Sequence, residues 1–342
     1  MGHHALGSPF VPQVRAGGGE SVSDTAKVNN FLRGPRHNPL AVLEVDNLAK
    51  RYGDVLALKD LTVRVEAGQC LVLLGRNGAG KTTALRCMGG VLLPTAGTVK
   101  VDGIDAAEDP AAVRARIGLM PEVPGLYERM SARAYLDHFG AIYDIEPGLR
   151  RRRISELLET FELADAGDRW LGTFSKGMRQ KVALIRATLH RPRLVLADEP
   201  TSALDPDSAR RAWDYLRDLQ SEGCALVICT HSMEEAEHLA APAKSGDFAG
   251  NPGAIGIMSA GRALAVGNLS KLRRLSGLKT RKQVRQLPTL QDVYLAIVGS
   301  HHELAETRSA GDATAGAAQR FGDPGGPSRR NGRPDEERVG NA

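Results

Sequence analysis

Apolar and polar positions recur along the chain with two different periods. Leu61, Val63 and Val65 are separated by Thr62 and Arg64, the period-two pattern of a strand with one buried face. Cys70 to Leu74 is apolar throughout, as expected of a strand covered on both faces. A glycine-rich turn, Gly75 to Gly80, follows it, and a helical stretch begins at Lys81. Thr98 to Val101 alternates again and stops at Asp102-Gly103, a hairpin dipeptide. Over roughly 121–190 the period becomes helical, with stripes at Leu136, Phe139, Ile142 and Tyr143, at Leu157, Leu158 and Phe161, and at Val182, Ile185 and Leu189. Two more apolar runs, Leu194 to Ala197 and Ala225 to Cys229, bracket a helical segment from Ser208 to Gln220. Strands that alternate with helices predict an α/β fold built on a mainly parallel sheet.

Composition trims this picture at the ends. At about 150 residues per domain, 342 residues suggest more than two domains. Residues 1–41 are rich in Gly, Pro, Asn and Ser, and residues 300–342 hold a single aromatic, Phe321. Both segments have too little apolar surface to offset ordering entropy and are expected to be disordered tails. The remainder suits one large domain, 42–268, and a small appendage, 269–299. Ala240 to Ala254 contains two prolines and three glycines without periodicity, and reads as a surface loop inserted before a strand at Ile255 to Met258.

Formal net charge is +5, yet residues 270–285 alone contribute +7 through Lys271, Arg273, Arg274, Lys279, Arg281, Lys282 and Arg285. The charge is therefore local. Three leucines, Leu272, Leu275 and Leu278, punctuate this segment, which reads as an amphipathic helix broken near Gly277. A solvated basic face and contact with anionic lipid head groups are both compatible with it. It has no interleaved aromatics, which argues against nucleic acid. No C-x-x-C pair occurs among the four cysteines, and the expected state is buried, reduced thiols of a cytosolic protein. No run of 18 apolar residues exists, and Met1 to Phe10 has neither the basic nor the apolar region of a secretory signal.

Gly75-Arg76-Asn77-Gly78-Ala79-Gly80-Lys81-Thr82 fits G-x-x-x-x-G-K-[ST] between a predicted strand and a predicted helix. Glycines allow consecutive N–H groups to face one concavity, and the helix adds its N-terminal dipole. Lys81 is then expected on the β- and γ-phosphates, with the Thr82 hydroxyl on Mg²⁺. A second site is the apolar strand that ends in Asp198-Glu199, since two acids at such a place are costly unless used. Asp198 can serve the Mg²⁺ shell and Glu199 can polarise a water.

Phe174-Ser175-Lys176-Gly177-Met178-Arg179-Gln180, just upstream, resembles the signature motif of ATP-binding-cassette (ABC) ATPases. Ser202-Ala203-Leu204-Asp205 resembles the D-loop of that family, and Thr230-His231 its H-loop. Tyr52 looks like the aromatic that stacks on adenine. Glu122 stands where the family usually has the Q-loop glutamine, and Phe-Ser-Lys-Gly-Met replaces the common L-S-G-G-Q. Both variants, with Pro121 to Tyr127 and Leu290 to Ala296, are similar to ATPase subunits that pair with ABC-2-type exporter permeases of the sodium-extrusion and drug-resistance kind. The resemblance covers 42 to about 268; the 240–254 insertion departs from it.

The resemblance implies a P-loop NTPase fold with a mainly parallel core, an antiparallel β subdomain and a helical subdomain at about 121–190. It implies ATP and Mg²⁺ as ligands and a homodimer of ATPase domains in which Ser175 and Gly177 of one copy meet the γ-phosphate held by the other. Nucleotide-binding positions on this reading are Tyr52, Gly75, Arg76, Asn77, Gly78, Ala79, Gly80, Lys81, Thr82, Thr83, Glu122, Ser175, Gly177 and Asp205. Metal positions are Thr82, Asp198 and Glu122; catalytic positions are Glu199, His231 and Lys81. The implied function is ATP hydrolysis that energises a separate multi-span permease from the cytoplasmic face of the cell membrane. A rival reading is a soluble ABC ATPase acting on nucleic acid or the ribosome; the absence of sustained heptads and of a second cassette argues against it.

Overall fold

The computed structural model describes residues 41–242 and 253–278, with positions 290, 293, 294, 296 and 297. The tail assignments up to 40 and over 300–342 lie outside the described residues. So do positions 243–252 of the insertion and four of the basic residues, Lys279, Arg281, Lys282 and Arg285.

Two sheets form. In the first, β1 (Ala41–Tyr52), β2 (Val55–Glu66), β4 (Ala96–Val101) and β5 (Ile104–Asp105) pair antiparallel in the order β2-β1-β4-β5. Asp102 and Gly103 both take positive φ, 48° and 79°, as the tight β4–β5 hairpin requires. The second sheet holds β3 (Cys70–Leu74), β6 (Ile117–Met120), β7 (Leu194–Asp198), β8 (Ala225–Thr230), β9 (Ala254–Ser259) and β10 (Arg262–Gly267) in the order β10-β9-β3-β8-β7-β6. All its pairings are parallel except β9 with β10. The α/β fold expected from the sequence is therefore the fold observed.

The continuous apolar runs follow from burial on both faces. In β3, Cys70, Val72 and Leu74 join one core while Leu71 and Leu73 join the other, and β7 and β8 divide in the same way. Each fully buried Val or Leu contributes about 1.5–3 kcal/mol. One core is closed by helices α3 (Ala132–Ile142), α4 (Pro147–Thr160), α5 (Lys176–Thr188), α6 (Pro206–Ser221) and α7 (Met233–Leu239). The antiparallel sheet closes the other, with α1 (Lys81–Met88) and α2 (Pro110–Arg116). Helix α8 (Leu269–Leu275) ends before Gly277, whose φ is +65°, and positions 290, 293, 294, 296 and 297 are helical again. Helix α8 buries Leu272 and leaves Leu275 exposed.

Several expectations change. Ala41, counted with the N-terminal segment by composition, is the first residue of β1. The strand around Leu61 is not half-exposed: Thr62 and Arg64 are buried too. Both find partners, because Thr62 Oγ1 accepts the Asn47 N–H at 2.9 Å and Arg64 donates to Glu44 at 3.1 Å. Ile142 lies on the apolar stripe of α3 by spacing, yet is 59% exposed at the helix end. The ends of the 240–254 insertion are built into the fold, since Ala254 starts β9 and a Cβ on Gly253 would meet the Ala240 backbone at 2.7 Å. The cysteines are free and buried as expected. Burial pushes the Cys87 thiol up to about 11 and the Cys224 thiol up to about 12.

Candidate active site

Parallel strands deliver their C-terminal ends to one edge of a sheet. Here Leu74 lies opposite Thr230 and Asp198 opposite Cys229. The segments that follow, beginning at Gly75, Glu199 and His231, therefore leave the sheet side by side. A cavity of about 370 Å³ opens there, lined by Ala57, Arg76, Asn77, Gly78, Ala79, Gly80, Lys81, Thr82, Thr83, Glu122, Asp198 and Glu199.

The turn before α1 is held from behind. Gly261 N–H donates to the Ala79 carbonyl at 3.1 Å, and a Cβ on Gly80 would come within 2.7 Å of the Ala57 carbonyl. Gly80, at φ +98°, caps α1 without a side chain. Helices α2 to α8 each have a side-chain cap: Asp109, Ser131, Glu146, Ser175, Asp205, Ser232 and Asn268. The first N–H groups of α1 thus remain for an anion. Lys81 is buried, donates to the Gly75 carbonyl at 2.6 Å and lies 3.5 Å from Glu199 Oε1.

Glu199 is held at several points. Its φ is +52°, a left-handed conformation that costs a non-glycine residue on the order of 1–3 kcal/mol. Its N–H donates to the Cys229 carbonyl at 2.8 Å, and its own carbonyl accepts Gln180 Nε2 at 2.8 Å. Oε2 lies 2.8 Å from His231 Nδ1. Among the described residues, the buried Oε1 has no hydrogen-bond partner, and neither does Asp198 Oδ2. The Asp198 carboxyl is pushed above its ordinary range by burial, with the charges of Glu122 and Glu199 acting in the same direction and the Thr82 hydroxyl and Lys81 against it.

Orphaned carboxylate oxygens beside an unclaimed helix N-terminus fit a bound triphosphate with a divalent cation. Thr82, Asp198 and Glu122 could hold the metal. Glu122 brings a charge that an amide would not. Glu122→Gln is expected to keep nucleotide binding and to change turnover, measured as ATP-dependent phosphate release; unchanged kinetics would remove Glu122 from an active role.

Other candidate positions stand apart from this cavity within one chain. Tyr52 is 46% exposed, with Lys50 Nζ 5.5 Å from its ring centroid, and does not line the cavity. Ser175 is exposed at the start of α5, and its Oγ accepts the Met178 N–H at 3.2 Å. Gly177 sits close to the Ala203 carbonyl, where a Cβ would approach to 2.9 Å. Asp205 caps α6 through the Ser208 N–H at 3.0 Å, a bond that holds its carboxyl below the ordinary range. Gly75 and His231 line a second cavity of about 430 Å³ together with Tyr294. The spacing of residues does not reveal Gln180 as the partner of the Glu199 carbonyl, nor Tyr294 as a neighbour of His231.

The sequence profile of the family described as "ABC transporter" matches residues 58–202. The daunorubicin resistance ATP-binding protein DrrA3 of Streptomyces coeruleorubidus is 37% identical over 235 residues, covering 69% of this chain and 71% of that protein. The ABC transporter ATP-binding protein NatA of Bacillus subtilis is 38% identical over 203 residues, covering 58% and 82%. Among solved structures, an ATP-binding subunit of an ABC transporter superposes with a TM-score of 0.65 at 28% identity, over 75% of this chain and 99% of that one. A dimeric post-hydrolysis state of the cassette MJ0796, bound to ADP and Pi, gives 0.58 at 25% identity, over 66% and 98%. On the extent of these matches, the chain belongs to the ABC transporter family of ATP-binding proteins.

Proposed function

We propose that this chain is the ATP-hydrolysing subunit of an exporter-type ABC transporter, working as a pair of copies against a separate membrane permease. The observation that carries the reading is the convergence of Lys81, Asp198, Glu199 and His231 at one sheet edge, with two buried acceptors left open. Glu199 Oε1 is the acceptor for a proton of the attacking water. His231 holds the other oxygen and keeps the carboxylate directed. Lys81 and the N–H groups of the turn take up charge on the phosphates, so that catalysis is mainly positioning and charge stabilisation. Thr82, Asp198 and Glu122 would hold Mg²⁺, which would supply further neutralisation of the phosphate oxygens when bound.

The exposed Ser175 and the start of α5 suit a contact with nucleotide held by the second copy. Residues 42–268 form the cassette on this reading, with 121–190 as its helical part and 269–299 as an appendage. The basic residues within 270–285 are proposed to meet anionic lipid on the cytoplasmic side. No helix among the described residues is long and apolar enough to cross a membrane, in keeping with a separate permease. The test is purification of the full chain from detergent-solubilised membranes. Co-purification of a multi-span protein that stimulates ATP hydrolysis is expected; recovery of nucleic acid with no such partner would overturn the proposal.

A further inference from the structure

Glu199 turns in a way that its place in the chain disfavours. A left-handed residue other than glycine is strained, and Pro200 follows, whose ring drives the preceding residue toward extended backbone. Such a turn persists only where its surroundings over-determine it. Two anchors flank it: the Glu199 N–H is bonded to β8, and Thr201 Oγ1 donates at 2.8 Å to the buried Glu235 on α7. The Glu199 carbonyl lies between them. Ser202 reaches it from its N–H at 3.3 Å and from its Oγ at 3.2 Å, but Ser202 belongs to the same turn and moves with it. Gln180 Nε2, at 2.8 Å, is the one donor among the described residues that ties this carbonyl to another element.

Gln180 is 1% exposed and sits in the second turn of α5, where the following residues Val182, Ala183, Leu184 and Ile185 fix the helix in the core. A buried amide is costly unless it is bonded, and this one is bonded to the backbone of the residue that carries the open Oε1. We propose that Gln180 is a positioning residue for hydrolysis: it holds the left-handed turn of Glu199 from the core side, so that Oε2 stays on His231 and Oε1 faces the cavity. Without that bond the peptide after Glu199 relaxes toward the extended backbone that Pro200 favours. The carboxylate then keeps its charge and loses its aim. Gln180 does not line the cavity, so its effect falls on turnover and not on nucleotide affinity.

This inference rests on the ATPase reading, and the experiment separates the two. Phosphate release and ATP binding are measured in the full chain and in Gln180→Met and Gln180→Leu, which keep an apolar body of similar size and lose the N–H donor. Each is expected to lower kcat about 3–10-fold, the loss of one hydrogen bond, with the affinity and stoichiometry of ATP binding unchanged. The same substitutions are then made in the Glu199→Gln background. There they are expected to change the residual rate by less than about twofold, because the group they misplace is already disabled and the two effects are not additive. A purely structural role would lower the rate equally in both backgrounds and would lower the ATP-binding stoichiometry in step. Either of those results, or parental kcat in Gln180→Met, overturns the proposal. Failure of both variants to fold overturns it as well, since Gln180 then serves stability. A parent that hydrolyses no ATP overturns the ATPase reading and this role with it, whereas an active parent with indifferent Gln180 variants overturns this role alone.

Discussion

Replacing Glu199 with Gln is expected to lower kcat by roughly 10²–10⁴-fold, the range for loss of a general base, while leaving ATP binding intact. The substitution is nearly isosteric and removes the charge that accepts a proton at Oε1. It changes neither the backbone bond from Glu199 N–H to Cys229 nor the one from Gln180 to the Glu199 carbonyl. Lys81, 3.5 Å away, loses one counter-charge and gains no competitor for phosphate. Binding with turnover blocked should favour a dimer trapped around ATP. Phosphate release, nucleotide binding and size-exclusion chromatography with ATP measure the three effects. Parental turnover in this variant would remove Glu199 from the catalytic role.

Lys81→Ala is expected to act earlier, on binding. Losing a charge-assisted contact to phosphate weakens ATP affinity by roughly 10–100-fold, and turnover falls with it. Stability should fall as well, because Asp198 and Glu199 are buried and lose their nearby cation. The sign of the pH dependence follows from Asp198, whose carboxyl already lies above its ordinary range through burial. A raised folded-state value means that the folded protein binds the proton more tightly than the unfolded chain. The stabilisation this gives is present at low pH and lost as pH rises through the folded value. Without Lys81 the same group should shift further, so the Tm deficit of the variant shrinks as pH is lowered. Thermal unfolding across a pH series checks this; a deficit that does not vary with pH would count against the buried-charge explanation.

Much of the site is legible along the chain because its parts are local. The turn Gly75–Gly80 and the helix start at Lys81 are contiguous, so their pattern predicts a phosphate cradle directly. Asp198 and Glu199 stand out because two acids end an apolar strand. Other features are carried by contacts between distant segments. Thr62 and Arg64 look solvent-facing by alternation, but the partners that let them be buried, Asn47 and Glu44, belong to β1. Ile142 has core spacing, yet at the end of α3 no element among the described residues covers it. Gln180 and Glu235 are polar residues on amphipathic helices, and nothing in their spacing distinguishes them from solvent-facing ones.

Most core strands and helices, their alternation and the phosphate-binding turn are readable from local sequence, because each depends on short-range periodicity and on residues joined by a few peptide bonds; β1, β5, α2 and β10 are not marked by such a pattern. Tertiary structure decided which chain ends meet. Parallel pairing of β3, β8 and β7 sets Leu74 against Thr230 and Asp198 against Cys229, and so brings Lys81, Glu199 and His231 together. It also decided the left-handed turn of Glu199 and the partners of its carbonyl and carboxylate. The physical reason is that hydrogen bonds and burial are satisfied in space, and a buried polar group takes whatever partner the packing of the whole sheet presents to it.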